Sequence, residues 1–162
     1  MSRTSQRCIA VRICEGDSTD LDAVMKVMTN SFDAVYGEGW SRSQCAGILP
    51  LSGVTLVLAC DDQQQVHGFS LQRTISGESE LLLLAVDRAA QRSGIGSRLL
   101  DHFIDLSRAG GATRVHLEVR DGNPATAMYR AYGFKPVGHR PNYYRGTNGG
   151  LFDAVTMALD ID

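Results

Sequence analysis

At 162 residues and 17.6 kDa, with 43% hydrophobic and 21% charged residues, the chain has the size and balance of one soluble domain spanning 1–162, large enough to bury roughly 70% of its unfolded surface without covalent staples. A formal net charge of −2, with 14 of 16 basic residues arginine and no block of like charge, excludes a surface built to coat nucleic acid. The N-terminus has no apolar core that would make a signal peptide, and the longest apolar run, 48–60, is too short and interrupted to span a bilayer, so a reducing cytoplasm is expected.

Cys8, Cys14, Cys45 and Cys60 show neither C-x-x-C spacing nor a nearby histidine pair. That argues against zinc and for small buried hydrophobes, with Cys45 alone off any predicted strand. In chain order, 8–14 alternates as a first strand, and 17–30 is a helix with Ser18 or Thr19 as N-cap and Leu21, Val24, Met25 and Met28 at helical spacing. A short helix starts at Ser41 and ends at Pro50. The stretches 55–60 and 66–76 form a hairpin around the polar turn 61–64, and 80–86 is a continuous apolar strand covered on both faces.

The helix 94–109 carries Ile95, Leu99, Phe103 and Leu106 on one stripe and stops at Gly110-Gly111. Strand 114–120 follows, then a helix 124–132 opened by Pro124, then strands 135–142 and 152–159 joined by a loop containing Gly146, Gly149 and Gly150. The fold class is therefore α/β of the α+β type: a mixed, mostly antiparallel sheet of about seven strands with about four helices packed on it.

The segment Gln91-Arg92-Ser93-Gly94-Ile95-Gly96-Ser97 lies between a buried strand and an amphipathic helix. Helix N-termini leave amides unpaired at the positive end of the macrodipole, and glycine at 94 and 96 lets an anion reach the backbone. A Walker loop is excluded because Ser97-Arg98 follows Gly96, and a Rossmann loop because position 99 is leucine. Taken alone, the two glycines are compatible with a plain strand-to-helix turn.

Q-x-x-G-x-G after an apolar strand resembles the acyl-CoA loop of the GCN5-related N-acetyltransferase (GNAT) superfamily, whose element order matches the one above. LEVRDGNPATAMYRAYGF at 117–134 resembles that superfamily's next strand, its asparagine and its tyrosine-bearing helix. NYYRGTNGGLFDAVTMAL at 142–159 and GWS at 39–41 resemble the RimI type, the ribosomal-protein alanine N-acetyltransferases. Asn123 and Tyr129 are six steps apart, one fewer than the superfamily pattern, which points to a shortened helix start.

The resemblance implies acetyl-CoA as co-substrate, with no metal, in a cleft between the fourth and fifth strands. It implies cofactor contacts from Leu84, Ala85, Val86, Gln91, Arg92, Ser93, Gly94, Ile95, Gly96, Ser97, Asn123 and Tyr129, with an oxyanion met by a main-chain amide around 84–86. It also implies Glu118 as general base and Tyr129 as the acid that protonates the thiolate.

From pattern alone Glu118, on the strand face shared with Arg114, His116 and Arg120, reads equally as an exposed carboxylate, and Tyr129 as a core residue beside Met128 and Tyr132. An ordinary carboxylate near about 4.3 is a weak base, so partial burial or a water relay is expected; an α-amine near about 8 needs only a modest one. Tyr143 and Tyr144, adjacent and so on opposite sides of an extended chain, allow one to line a peptide groove and the other to pack, or both to pack. Trp40 reads as core or rim packing, on the substrate side by resemblance. His116 is near Glu118 without an assigned role.

The expected partner is a peptide or protein N-terminus, the alanine of the eighteenth small-subunit ribosomal protein, with no direct nucleic-acid contact, no membrane, and a state left open between monomer and weak dimer. A small amine or lysine acceptor and a silent acyl-CoA-binding regulator are the alternatives, while a serine hydrolase lacks its G-x-S-x-G elbow.

Overall fold

Alternating and apolar runs in the first half of the chain produce β1 (Arg12–Gly16), β2 (Val54–Cys60), β3 (Val66–Ile75) and β4 (Glu78–Val86), all paired antiparallel, in a computed structural model that describes residues 9–162. Before β2 the chain makes α1 (Leu21–Ser31) and α2 (Arg42–Ile48); after β4 it crosses over through α3 (Ile95–Ala109). A crossover of that length lays β5 (Arg114–Arg120) parallel to β4, the sheet's one parallel pair among the described residues. A short helix, α4 (Thr126–Ala131), precedes the long hairpin of β6 (Lys135–Arg145) and β7 (Leu151–Asp160), and β7 inserts beside β5 to give the order β1-β2-β3-β4-β5-β7-β6. This is the expected seven-stranded, mostly antiparallel sheet with four helices. Prolines 136 and 141 fall on the edge strand β6, at its two register shifts, where proline is tolerated and discourages pairing with another chain.

The middle of the sheet is covered on both faces, while the edge strand β6 is exposed along nearly its whole length. Leu21, Val24, Val27 and Met28 of α1 and Cys45 of α2 pack on Leu56, Leu58, Phe69, Leu71, Leu83 and Ala85. On the other face Leu99, Leu100, Phe103 and Ile104 of α3 pack on Val57, Ala59, Leu81, Leu117 and Met157, joined by Tyr129 and Phe134. Burying a side chain such as Phe103 or Leu99 contributes about 1.5–3 kcal/mol each, which is what anchors α3 against the sheet. Buried Cys45 and Cys60 behave as small hydrophobes, and burial pushes the Cys60 thiol up to about 11. Cys14 on β1 is half-buried, 3.8 Å from Cys60, while Cys8 lies outside the described residues.

Four local expectations need correction. Ser18 and Thr19 do not cap α1: Asp17 caps a 3₁₀ turn, Ser18–Asp20, accepting from the Thr19 amide at 2.8 Å, and the α-helix begins only at Leu21. Leu106 is not on the buried stripe of α3 but 37% exposed, because Leu100 and Ile104 carry the stripe round the other side. Pro124 stands before α4 rather than in its first turn, since the Asn123 side chain accepts from the Ala125 amide at 2.8 Å and holds the entry as a turn. Both tail strands run longer than expected, because β6 jogs without ending: its register shifts between Arg140 and Tyr144, where Asn142 takes φ +55°.

Candidate active site

The site begins as a fault in the sheet. Leu71 pairs with Leu83 and Gln72 with Leu81, so Leu82 is an extra residue on β4 with no partner on β3. Pairing from β4 to β5 stops at the same level, at Leu81 opposite Leu117. A bulge bends its strand and increases local twist, so the two parallel strands separate beyond it. Residues 82–86 and 118–120 form the walls of a V. The Asp87 amide donates to His67 O at 2.8 Å on β3; by strand alternation the amides of Leu84 and Val86 face the opening. The opening is part of a cavity of about 760 Å³.

One end of the cavity is the start of α3. Gly94 is the N-cap, at φ +83°, and no side chain caps the helix; the first turn is closed by Arg98 N–H to Gly94 O at 3.1 Å. The amides of the residues between them are left for an external acceptor at the positive end of the helix. A Cβ at 94 would meet no protein atom within 4 Å, while one at Gly96 would sit 3.5 Å from Met128 Sδ and 3.8 Å from Val86 Cγ2. The cradle is therefore shaped by backbone, with Arg88 and Arg92 also on the cavity wall. Uncapped amides, absent side chains and two guanidinium groups suit a pyrophosphate. Gln91 plays a supporting part: its side-chain amide donates to Val86 O at 3.1 Å and ties the loop to the end of β4.

The other wall carries the ionisable groups. Glu118 is no isolated carboxylate on an exposed strand: its side chain is 10% exposed, Oε2 accepts from the Thr156 hydroxyl at 2.8 Å, and Oε1 meets Arg140 Nε at 3.1 Å. Tyr129 is buried on α4 with its ring edge-on to Phe134, and no partner engages its hydroxyl among the described residues. Burial, and then the charge of Glu38, push its phenol well above the ordinary value; the same two causes act first on Tyr144. Tyr143 and Tyr144 both line the cavity, contrary to the alternation of an extended strand, because the jog at Asn142 sets their rings edge-to-face at 4.9 Å. The Asn142 amide is pinned by Asp153 Oδ1 at 2.8 Å, and the Tyr144 hydroxyl donates to Glu118 O at 3.3 Å.

Of the residues singled out in the sequence, Glu118, Tyr129, Leu84, Val86, Gln91, Arg92, Gly94, Ile95, Gly96, Ser97, Asn123, Trp40, Tyr143 and Tyr144 line this one cavity. Ala85 does not, since it faces the α1 core, and Ser93 turns its hydroxyl to Ala90 O. Asn123 has both ends of its amide engaged by the protein: Oδ1 by the Ala125 amide and Nδ2 by Glu38 Oε2 at 2.6 Å. His116 lies 3.8 Å from Glu80 across β4 and β5. Sequence reasoning missed Tyr36 and Glu38, which stand in a connection with no periodicity; the only signal there was a glycine on either side of Glu38.

Residues 21–134 match the model of the acetyltransferase (GNAT) family. The [ribosomal protein bS18]-alanine N-acetyltransferase of Salmonella typhimurium is 34% identical over 145 residues, spanning 89% of this chain and 93% of that protein. The crystal structure of the ribosomal-protein-S18-alanine N-acetyltransferase from Escherichia coli superposes with a TM-score of 0.82 at 30% identity, over 94% of this chain and 95% of the other. A Salmonella typhimurium protein, yncA, in a structure with its cofactor acetyl-CoA, shares the fold at a TM-score of 0.74 and 19% identity, over 94% of this chain and 95% of the other.

Proposed function

Because the chain belongs to the acetyltransferase (GNAT) family and is an N-acetyltransferase, we propose that it moves an acetyl group from acetyl-CoA to the α-amine of a peptide N-terminus, with the N-terminal alanine of ribosomal protein bS18 as its acceptor. The observation that carries the reading is one cavity bounded by an uncapped glycine-started helix, an anchored carboxylate and an unpaired buried phenol. Acetyl-CoA supplies the thioester carbon that the amine attacks and the thiolate that leaves.

The α3 amides at 95–97, with Arg92, hold the pyrophosphate, and the amides of Leu84 and Val86 face the carbonyl oxygen whose charge grows as the C–N bond forms. Glu118, held by Thr156 and Arg140, takes the proton that the amine sheds. Tyr129 gives its proton to sulfur as the C–S bond breaks; burial keeps the phenol protonated throughout the working pH range, and because it also makes the phenol a weaker acid the transfer to the less basic thiolate runs uphill. Tyr36, Trp40, Tyr143 and Tyr144 form aromatic walls suited to an extended peptide. An α-amine near about 8 fits a single carboxylate base better than a lysine near about 10.4. No described helix is long and apolar enough to cross a membrane, and a ribosomal-protein acceptor supports a cytoplasmic location.

The test offers three acceptors with acetyl-CoA: an alanine-initiated bS18 peptide, the same peptide blocked at its N-terminus but carrying a free lysine, and a polyamine. Mass spectrometry is expected to find acetyl on the α-amine of the first, with the others modified far more slowly. Preference for lysine or polyamine would overturn the acceptor assignment.

A further inference from the structure

The connection between α1 and α2 reaches the cleft through a tight backbone crossing. A Cβ at Gly37, which sits at φ +68°, would lie 1.9 Å from Arg145 O; one at Gly146 would lie 1.8 Å from Val35 O; and the Thr147 amide donates to Ala34 O at 3.2 Å. Only glycine permits that approach at both places, and the crossing brings Glu38 to the cavity wall. There one carboxylate oxygen accepts from Arg120 Nε at 2.8 Å and the other from Asn123 Nδ2 at 2.6 Å, while the Arg120 guanidinium lies 3.7 Å over the Tyr36 ring.

The Glu38 and Arg120 side chains are 9% and 11% exposed. Enclosing two charges is costly, and replacing such a pair with apolar groups is often neutral for stability, so the pair is weak evidence of a stabilising role. Its geometry is more telling. Glu38 joins an acceptor-side wall, bearing Tyr36 and Trp40, to the end of β5 and the turn that begins α4, which otherwise belong to separate parts of the chain.

We infer that Glu38 is a positioning residue for the transfer, latching the α1–α2 wall to Arg120 and Asn123 and so shaping the acceptor's entrance to the cleft. The inference rests on the N-acyl transfer reading above. Glu118 keeps its own anchors on Thr156 and Arg140, the α3 amides owe nothing to Glu38, and burial, the larger cause, still keeps the Tyr129 phenol protonated without the Glu38 charge, so loss of the latch falls chiefly on acceptor binding rather than on the chemical step or on acetyl-CoA.

Glu38→Ala and Glu38→Gln are compared by thiol release at saturating acetyl-CoA with varied peptide, and by the rise in Tm that acetyl-CoA produces. Glu38→Ala is expected to raise the acceptor KM roughly tenfold with kcat within about threefold and the acetyl-CoA shift unchanged. Glu38→Gln, which keeps an oxygen for Asn123 or Arg120 but no charge, is expected to recover part of that loss. Arg120→Met should reproduce the defect, and the double variant with Glu38→Ala should be no worse than either single one, because both remove the same contact.

A wild-type KM in folded Glu38→Gln and Glu38→Ala overturns the inference, as does a fall in the acetyl-CoA shift as large as the change in KM. If Glu38→Ala does not fold, Glu38→Gln decides alone, and an unchanged KM overturns it. Should the alanine peptide be no acceptor of the unsubstituted enzyme, the substrate reading fails there, and the same split is read with whichever amine is accepted.

Discussion

Glu118 and Tyr129 differ in what surrounds them, and that difference separates the roles proposed for them. Glu118 accepts on each oxygen, so Glu118→Gln keeps its size and can keep one accepted bond with its NH2 turned to the Thr156 hydroxyl, but it loses the charge that faces Arg140 together with the capacity to take a proton. Turnover should fall by about 100-fold, the scale of a lost general base, with acetyl-CoA still raising Tm. Because an α-amine becomes neutral unaided as pH passes about 8, the defect should shrink in rate measurements from pH 7 to 9.5. Tyr129→Phe removes a hydroxyl with no partner among the described residues, so its stability cost is expected to stay within about 1 kcal/mol while turnover drops at least roughly tenfold. The sign of its pH dependence follows from burial: a phenol raised above its ordinary value remains protonated up to and beyond pH 10, so this defect should be flat over the same range. Equal turnover in both variants and wild type would falsify the acid–base assignment. Both residues became candidates through the resemblance of the strings around them, whereas Glu38 did not, since its meaning lies in partners at positions 120 and 123 that no local pattern connects to it.

At the scale of elements, the start of α3 is where sequence and site coincide most closely. The glycine at 94 takes a left-handed φ of +83° and the one at 96 faces Met128 and Val86 at ordinary contact distance, so a single methyl is tolerated at 96 but a branched side chain is not. Gly96→Val should therefore crowd Met128 and Val86, both on the cavity wall beside the proposed pyrophosphate cradle, while α3 stays anchored by Leu99, Leu100 and Phe103. The expected result is a folded protein by circular dichroism whose Tm no longer responds to acetyl-CoA; an undiminished response would place the cofactor elsewhere. Strands and helices with clear periodicity were legible to within a few residues, because burial on one face dictates period. The exceptions have local causes: Asp17 outcompetes Ser18 and Thr19 as a cap, and Asn123 holds the entry to α4 as a turn. The jog at 140–144 was hidden because no residue type announces a register shift, and it sets both tyrosines on the cavity.

For the whole molecule, acetyl-CoA bound to the native state alone should raise Tm, by about 2.7 kcal/mol of added stability at a hundredfold excess over Kd and so by several degrees for a chain of this length. A Tm unmoved by acetyl-CoA at millimolar concentration would remove the cofactor assignment. The chain alone determined the element order, a mixed and mostly antiparallel sheet and the glycine-started helix, and by family resemblance it offered a carboxylate and a phenol as candidates, because periodicity, caps and glycine act over a few residues and are written where they act. Only the tertiary structure decided that β4 and β5 part at the Leu82 bulge, that Arg140 and Thr156 hold Glu118, and that a distant connection carries Glu38 onto Arg120 and Asn123. Those facts depend on pairing register and on contacts between residues up to 85 positions apart, which packing of the whole sheet selects and no stretch of sequence encodes by itself.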